Sequence, residues 1–96
     1  MRSRVVKAVS AASSQKGQLL ATELRKLIAE FSRCRPARIK PSTRLREDLG
    51  IDSFTGTEVL VALEQRYGLK ISEVEANRVI TFQDLVKFIE GRLHPH

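Results

Sequence analysis

The sequence has one cysteine, one tyrosine and no tryptophan among its 96 residues. Cys34 alone cannot form a disulfide within the chain, and no cluster of Cys and His has the spacing of a zinc site. His94 and His96 stand among the last three residues, where a frayed end is a simpler interpretation than a metal site. We therefore predict no metal site. The cysteine usage fits a reducing compartment, so we expect a cytoplasmic location.

Long apolar runs are also missing. No run approaches the ~20 residues that a membrane-spanning helix needs, and we expect no membrane span. Residues 1–16 are basic, contain serine and lack acids. Their apolar centre is too short for a secretory signal, and the composition fits either a mitochondrial transit peptide or a short basic tail. We favour the tail, and predict a disordered basic arm over residues 1–16 and a short tail over 94–96.

Acidic residues are scarce in the first half of the chain. Residues 1–46 contain twelve of the seventeen basic residues and two acidic ones, a net charge of +10, whereas residues 47–96 carry −4. This separation argues against treating the whole chain as a basic protein made for nucleic acid. The length fits one small domain.

Helical spacing of apolar residues recurs along most of residues 17–93. It predicts long helices over about 17–33, 53–67 and from Thr81 onward, with a short helix near 72–77. The centre of the second, VLVAL at 59–63, is apolar on nearly every side, which places that helix in the middle of a bundle. Strand alternation and hairpin turns are absent. We predict an all-α bundle of three longer helices and one short one, covering residues 17–93.

A long connection separates the first two helices. Residues 34–52 include Pro36 and Pro41, which prevent an easy helix continuation. Connections of this length are uncommon in compact domains unless they are held in place. The apolar residues that we expect to hold it are Ile39, Leu45, Leu49 and Ile51.

The stretch DLGIDS, residues 48–53, leads into the second helix. Asp52 can act as the N-cap, and Gly50 permits the positive φ of a tight turn. Ser53 then stands at the first helical position with its hydroxyl outward. By itself this describes a capped helix with an incidental serine, and no general base is evident for a catalytic one. A phosphate ester on Ser53, however, suits the partial positive charge of a helix N-terminus.

Taken with EVLVALEQRYGLKIS and ITFQDLVKFI downstream, this motif resembles the acyl carrier protein family over roughly residues 20–93. The resemblance implies a non-catalytic carrier. A phosphopantetheinyl transferase would attach 4′-phosphopantetheine from coenzyme A to Ser53, within a site that includes Asp48, Gly50 and Asp52. The arm would hold acyl groups as thioesters in fatty acid, lipid or polyketide-type synthesis. Peptidyl carrier domains usually have a second glycine before the serine, where this chain has Ile51 and Asp52.

The resemblance also implies two surfaces and a set of partners. The expected partners are the transferase, acyl-transferring or condensing enzymes and the acyl chain, with no nucleic acid, and we expect a monomer. The acyl chain would lie between helices, in a pocket lined by Leu60, Leu63, Ile71, Ala76, Val79, Leu85 and Phe88. Partner enzymes would contact one face of the second helix, formed by Phe54, Thr55, Glu58, Val61 and Gln65.

The charge of this sequence differs from that of the family. Family members are usually acidic, but here Thr55 and Gln65 stand where acids are common. Glycine is unfavourable inside a helix, so the presence of Gly56 requires an explanation, such as room for the phosphopantetheine arm or for the acyl chain. The basic loop, with Arg35, Arg38 and Lys40, is either a solvated connection or a second partner surface; it lacks aromatic residues that could stack bases. Two alternatives stay open: a nucleic-acid binder using residues 1–46, and a carrier-like adaptor in which Ser53 is never modified.

Overall fold

In the computed structural model, which describes residues 12–93 and the side chains of residues 18–93, the chain forms four helices. They are α1 (Ala12–Ser32), α2 (Ser53–Tyr67), α3 (Glu73–Asn77) and α4 (Phe82–Leu93), with a 3₁₀ turn at Pro36–Arg38. Residues 12–93 contain no strand, only an isolated bridge between Arg44 and Thr81. The predicted all-α bundle of three longer helices and one short one is confirmed.

The first helix is longer than predicted. α1 begins at Ala12, five residues before the expected start at Gly17. The predicted disordered arm is therefore too long by residues 12–16, and its other residues, 1–11, lie outside the described part of the chain, as does the tail 94–96. The segment before Gly17 has no proline, and one glycine costs a helix only about 1 kcal/mol, so the helix continues through it.

The middle of the bundle is occupied by α1, which packs against α2, α4 and the 3₁₀ turn. The expectation that α2 lies in the middle is wrong. Val59 and Leu63 of α2 are buried, but Val61 between them is 44% exposed. Positions four apart share one face of a helix, so α2 buries a single stripe. Leu60 and Ala62 pack partly buried beside that stripe, and Phe54 and Val61 are exposed.

One apolar core connects the helices and the long loop. Four large side chains are almost fully enclosed: Leu24 and Ile28 of α1, and Phe82 and Ile89 of α4. The remaining buried apolar residues are Leu20, Leu27, Ala29, Ile39, Ile51, Val59, Leu63, Ile71 and Leu85. None of the helices in the described part of the chain is both long and apolar enough to cross a membrane.

The long loop is fixed to the start of α4 by backbone hydrogen bonds. The amide of Leu45 donates to the carbonyl of Ile80 at 2.9 Å, and the amide of Phe82 donates to the carbonyl of Thr43 at 2.8 Å. Ile39 and Ile51 are buried, while Leu45 and Leu49 are half-buried against the core. All four residues expected to hold the loop do so.

The relative direction of α1 and α2 follows from one contact and the burial pattern. The hydroxyl of Tyr67, at the end of α2, donates to Glu23 Oε1 in α1 at 2.9 Å. From that contact, four of the five buried apolar residues among the described side chains of α1 lie toward its C-terminus, as far as Ala29. Both buried residues of α2 lie toward its N-terminus, as far as Val59. The two helices are therefore antiparallel, and the end of α1 lies at the same end of the bundle as the start of α2.

The helix ends follow the capping signals of the sequence. Gly68 ends α2 in the left-handed conformation, with φ of 66°. Ser72 and Glu75 form a reciprocal capping box at α3. At α4, Thr81 Oγ1 accepts from the Asp84 amide at 3.1 Å, and Asp84 Oδ2 accepts from the Thr81 amide at 3.0 Å. Each of these caps depends on residues within a few positions of one another.

Candidate functional site

The turn before α2 determines where Ser53 stands. Gly50 has φ of 71°, in the left-handed region that glycine enters without strain. Ile51 is buried in the core, and the Gly56 side of the helix faces it, since a Cβ built on Gly56 would lie 3.9 Å from Ile51 Cγ2. Ile51 thus anchors the turn to the core, and the next two residues, Asp52 and Ser53, are exposed on its outer side.

Asp52 is the N-cap of α2. Its Oδ1 accepts a hydrogen bond from the Thr55 amide at 2.9 Å. That backbone hydrogen bond, together with smaller contributions from the local backbone, holds the pKa of the Asp52 carboxyl below its ordinary value. The exposed carboxylate is therefore charged at neutral pH, directly beside the serine.

Ser53 occupies the first position of α2 and is exposed. The free amides and the macrodipole of a helix N-terminus favour a negative group at this position. An exposed hydroxyl at such a place is accessible to a second macromolecule and is suited to carry a phosphodiester.

Asp48, a predicted member of the same site, has a structural role. Its Oδ2 accepts from the Arg44 amide at 2.8 Å, and its Oδ1 lies 3.3 Å from Arg44 Nη2. The hydrogen bonds from Arg44, its backbone amide first, hold the pKa of the Asp48 carboxyl below its ordinary value. The pair closes the turn that leads to Gly50, so Asp48 shapes the approach to Ser53 and does not contact it through any described hydrogen bond.

Four of the five residues of the predicted partner face of α2 are exposed. Phe54 is 73% exposed, which is unusual for a phenylalanine, and Val61 is 44% exposed. Glu58 and Gln65 are exposed on the same face, and Thr55 is half-buried beside them. This face is therefore uncharged except for the Glu58 carboxylate, and the Asp52 carboxylate lies beside Ser53 at its start.

The seven residues of the predicted acyl pocket come together within one cluster. Leu63, Ile71 and Leu85 are buried in the core, and the other four, Leu60, Ala76, Val79 and Phe88, pack partly buried against it. An open depression of about 520 Å³ lies at the edge of this region, and its lining includes only Ile71 of the seven. The predicted lining residues are packed as core, and a chain entering among them would have to separate them.

Sequence reasoning missed the contacts of Arg92. Its Nη1 donates to Glu75 Oε2 at 3.0 Å, its Nη2 donates to the Lys70 carbonyl at 2.6 Å, and its guanidinium lies over the Phe88 ring. These bonds join α4 to α3 and to the loop before it. No local pattern could have indicated them, because the partners are 17 and 22 residues away along the chain.

Two exposed apolar residues were also missed. Val74 in α3 is 64% exposed and Ile80, just before α4, is 56% exposed. Both belong to segments whose other apolar residues pack on the core, so the helical pattern offered no sign that these two face solvent.

Comparison with known proteins agrees with this geometry. Residues 22–89 match the family described as "Phosphopantetheine attachment site". The chain is 35% identical over 69 residues to the acyl carrier protein of Campylobacter hominis, a match that covers 72% of this chain and 87% of that protein. It is 31% identical over 68 residues to the acyl carrier protein of Wolinella succinogenes (71% and 90% covered) and 32% identical over 68 residues to that of Helicobacter pylori (71% and 87%).

The matched family and these relatives define the class: this is a carrier domain for covalently attached 4′-phosphopantetheine. The chain belongs to the acyl carrier protein family, and it is a non-catalytic acyl carrier.

Proposed function

We propose that Ser53 is the attachment site of 4′-phosphopantetheine, and that the chain carries acyl intermediates in fatty acid, lipid or polyketide-type synthesis. The observation that carries the assignment is the position of Ser53. It is exposed at the first residue of α2, between the Asp52 cap and the start of the apolar partner face.

The residues around Ser53 fit the group. The hydroxyl oxygen would attack the phosphorus of coenzyme A that bears pantetheine. The bridging P–O bond of the pyrophosphate would break, adenosine 3′,5′-bisphosphate would leave, and the hydroxyl proton would pass to a base of the transferase. The new phosphodiester is favoured by the helix N-terminus. When attached, the arm supplies a thiol that holds the acyl group as a thioester. Asp52, ionised beside the hydroxyl, gives a basic transferase or its metal ion a charge to engage.

The acyl chain is proposed to enter among the seven predicted lining residues. Support comes from their membership of one apolar cluster that spans α2, α3 and α4. Leu60, Ala76 and Phe88 are only partly buried there, so this side of the core has less enclosed packing than Leu24 and Ile28 on α1, which are fully buried. An acyl chain that enters among these helices replaces apolar contacts between side chains with apolar contacts to its own methylene groups.

Partner enzymes are proposed to dock on Phe54, Thr55, Glu58, Val61 and Gln65. The exposed ring of Phe54 would be the anchor, because large apolar residues at the centre of an interface contribute most of its affinity. The scarcity of carboxylates on this face favours a dedicated set of enzymes over a general fatty acid synthase.

Intact mass measurement tests the attachment site. The protein is incubated with coenzyme A and a phosphopantetheinyl transferase. We expect one phosphopantetheine addition on the wild type and none on Ser53→Ala, which should fold normally because Asp52 supplies the cap. Ser72→Ala is a matched control, since Ser72 is also an exposed serine at a helix start, and it should accept one addition. Equal addition to the wild type and Ser53→Ala would refute the assignment.

The adaptor alternative makes the opposite prediction for the same experiment, with no addition to the wild type. The nucleic-acid alternative predicts binding to RNA or DNA that weakens steeply with salt and needs no arm. The monomeric state and the cytoplasmic location expected from the sequence stay predictions.

A further inference from the structure

A run of basic residues follows α1 in a stretch of the sequence that contains no acid. Residues 31–46 contain no Asp or Glu. Within them Arg33, Arg35, Arg38 and Lys40, here called the basic segment, are all exposed. The two ion pairs found among residues 18–93 involve Arg44 and Arg92, and neither uses the basic segment. Its four charges are therefore not neutralised by the described part of this chain.

The basic segment is held in one backbone conformation. The 3₁₀ turn places a hydrogen bond from the Arg38 amide to the Arg35 carbonyl at 3.0 Å. Ile39 is buried, and its carbonyl accepts from Arg25 Nε at 3.0 Å, while the Arg25 guanidinium lies over the Phe82 ring. The charged side chains thus project from a backbone that is tied to the core, which lowers the entropy lost when a partner binds.

The basic segment also lies at the functional end of the bundle. From the Tyr67–Glu23 contact, Ser53 is fourteen residues back along α2, about 21 Å at the rise of an α-helix, and Ser32 is nine residues on along the antiparallel α1, about 13.5 Å. Arg33 begins the segment directly after Ser32. An enzyme that handles the arm on Ser53 approaches this same end.

The chemistry of the side chains indicates the kind of partner. Three of the four residues are arginines, whose planar guanidinium binds carboxylates through two parallel hydrogen bonds. The segment has no aromatic residue to stack on bases. It also has no large exposed apolar residue that would insert into a membrane, since Ile39 is buried and Cys34 is half-buried. A carboxylate-rich protein surface fits these features better than RNA or lipid does.

We propose that the basic segment is a second docking surface, which binds an acidic patch on an enzyme that loads or unloads the arm. This inference rests on the proposed carrier function, because the carrier role supplies the reason for such an enzyme to approach. At α2 of this usually acidic family, carboxylates of the carrier are expected to meet basic residues of the enzyme. At the basic segment the relation is reversed, because the carrier contributes the cations and the enzyme the carboxylates.

The test uses three probes on the full-length apo protein at low ionic strength. They are a synthetic Asp/Glu-rich peptide, a single-stranded oligoribonucleotide of equal charge, and vesicles containing anionic lipid. Binding is compared for the wild type, for Arg35→Ser/Arg38→Ser/Lys40→Ser, and for a matched control, Lys26→Gln/Lys70→Gln/Lys87→Gln. The control removes three exposed basic side chains elsewhere and has the same net charge as the triple serine variant.

We expect the peptide to bind the wild type, with a Kd about tenfold higher in the triple serine variant and less than about threefold higher in the control. Added salt should weaken the wild-type complex. Amide chemical shifts on peptide addition should change at residues 33–40. Equal loss of binding in both variants, no peptide binding, or tighter binding of the RNA or the vesicles than of the peptide would each overturn the proposal.

The mass measurement on Ser53 keeps the two proposals separate. The triple serine variant should accept phosphopantetheine as the wild type does. If the wild type is not modified but binds the peptide through the basic segment, the carrier assignment fails and so does the role of an arm-handling enzyme as the partner, while the binding of carboxylates by the basic segment stands. If the wild type is modified normally but the peptide binds the triple serine variant and the control variant equally, the docking-surface proposal is refuted and the carrier assignment stands.

Discussion

The hydroxyl of Tyr67, the last residue of α2, donates a hydrogen bond to Glu23 Oε1 of α1 across 44 residues of sequence. Partial burial and, after it, the hydrogen bond to Glu23 raise the pKa of Tyr67 to about 12. Both effects favour the neutral phenol, and both exist only in the folded state. The contact therefore links the antiparallel packing of the two helices to a measurable titration.

We predict that Tyr67 titrates well above a free tyrosine. It is the only tyrosine, and the chain has no tryptophan, so phenolate absorbance reports this one group. The apparent pKa should be about 12 in the folded protein and about 10 in denaturant. Since the folded-state pKa is the higher one, the contribution to stability is complete below pH 10 and is lost as pH rises toward 12. Glu23→Gln should lower the folded-state value, and an unchanged value would show that Glu23 has no effect.

Asp52→Asn should slow the modification of Ser53 and leave melting nearly unchanged. Asparagine keeps an oxygen that accepts from the Thr55 amide, so the cap survives, but the negative charge beside Ser53 is lost. The rate is measured by mass spectrometry and melting by circular dichroism. Glu47→Gln is the matched control, an exposed acid near the same turn whose removal should have little effect on the rate. A large fall in melting temperature at a normal modification rate would show that Asp52 matters for stability and not for the modification of Ser53.

Gly56→Ala should raise stability. The added Cβ meets only Ile51 Cγ2 at 3.9 Å, an ordinary contact, so the folded chain does not require a glycine there. Alanine in a helix is favoured over glycine by up to about 1 kcal/mol, and in a domain of this size that raises Tm by roughly 4–8 °C.

Gly50→Ala is the contrast for that prediction. Its surroundings are equally open, but its φ of 71° is strained for alanine. Gly50→Ala should lower Tm while Gly56→Ala raises it. A lower Tm for Gly56→Ala would mean that the room beside Ile51 is smaller than the structure shows.

Arg92→Gln should loosen α3 more than the rest of the bundle. The substitution removes the ion pair with Glu75, a residue of the α3 capping box, and the bond to the Lys70 carbonyl. Amide hydrogen exchange at residues 73–77 should become about three- to tenfold faster, with little change at residues 24–29 of α1. Lys87→Gln, an exposed residue on the same helix, is the control. Equal acceleration in both regions would indicate a global effect.

The sequence by itself determined the helices and their caps, because these depend on residues within one or two turns of each other. Asp52 is the N-cap that its local pattern predicts, and Gly68, Ser72 and Thr81 also cap helices through nearby residues. The same holds for the position of Ser53 at the start of α2. The predicted start of α1 was wrong, since the glycine at 17 is a weak stop signal and residues 12–16 before it contain no proline.

Tertiary structure alone decided which apolar faces are covered. The pattern VLVAL offers several faces to burial, and only the position of the neighbouring helices leaves Val61 exposed and encloses α1 at the centre. The same is true of Arg92, of the Tyr67–Glu23 bond and of the loop fixed to the start of α4, whose partners are 17 to 44 residues apart. Burial and long-range contacts depend on how the helices pack against one another, whereas helical periodicity shows only which side chains could be buried.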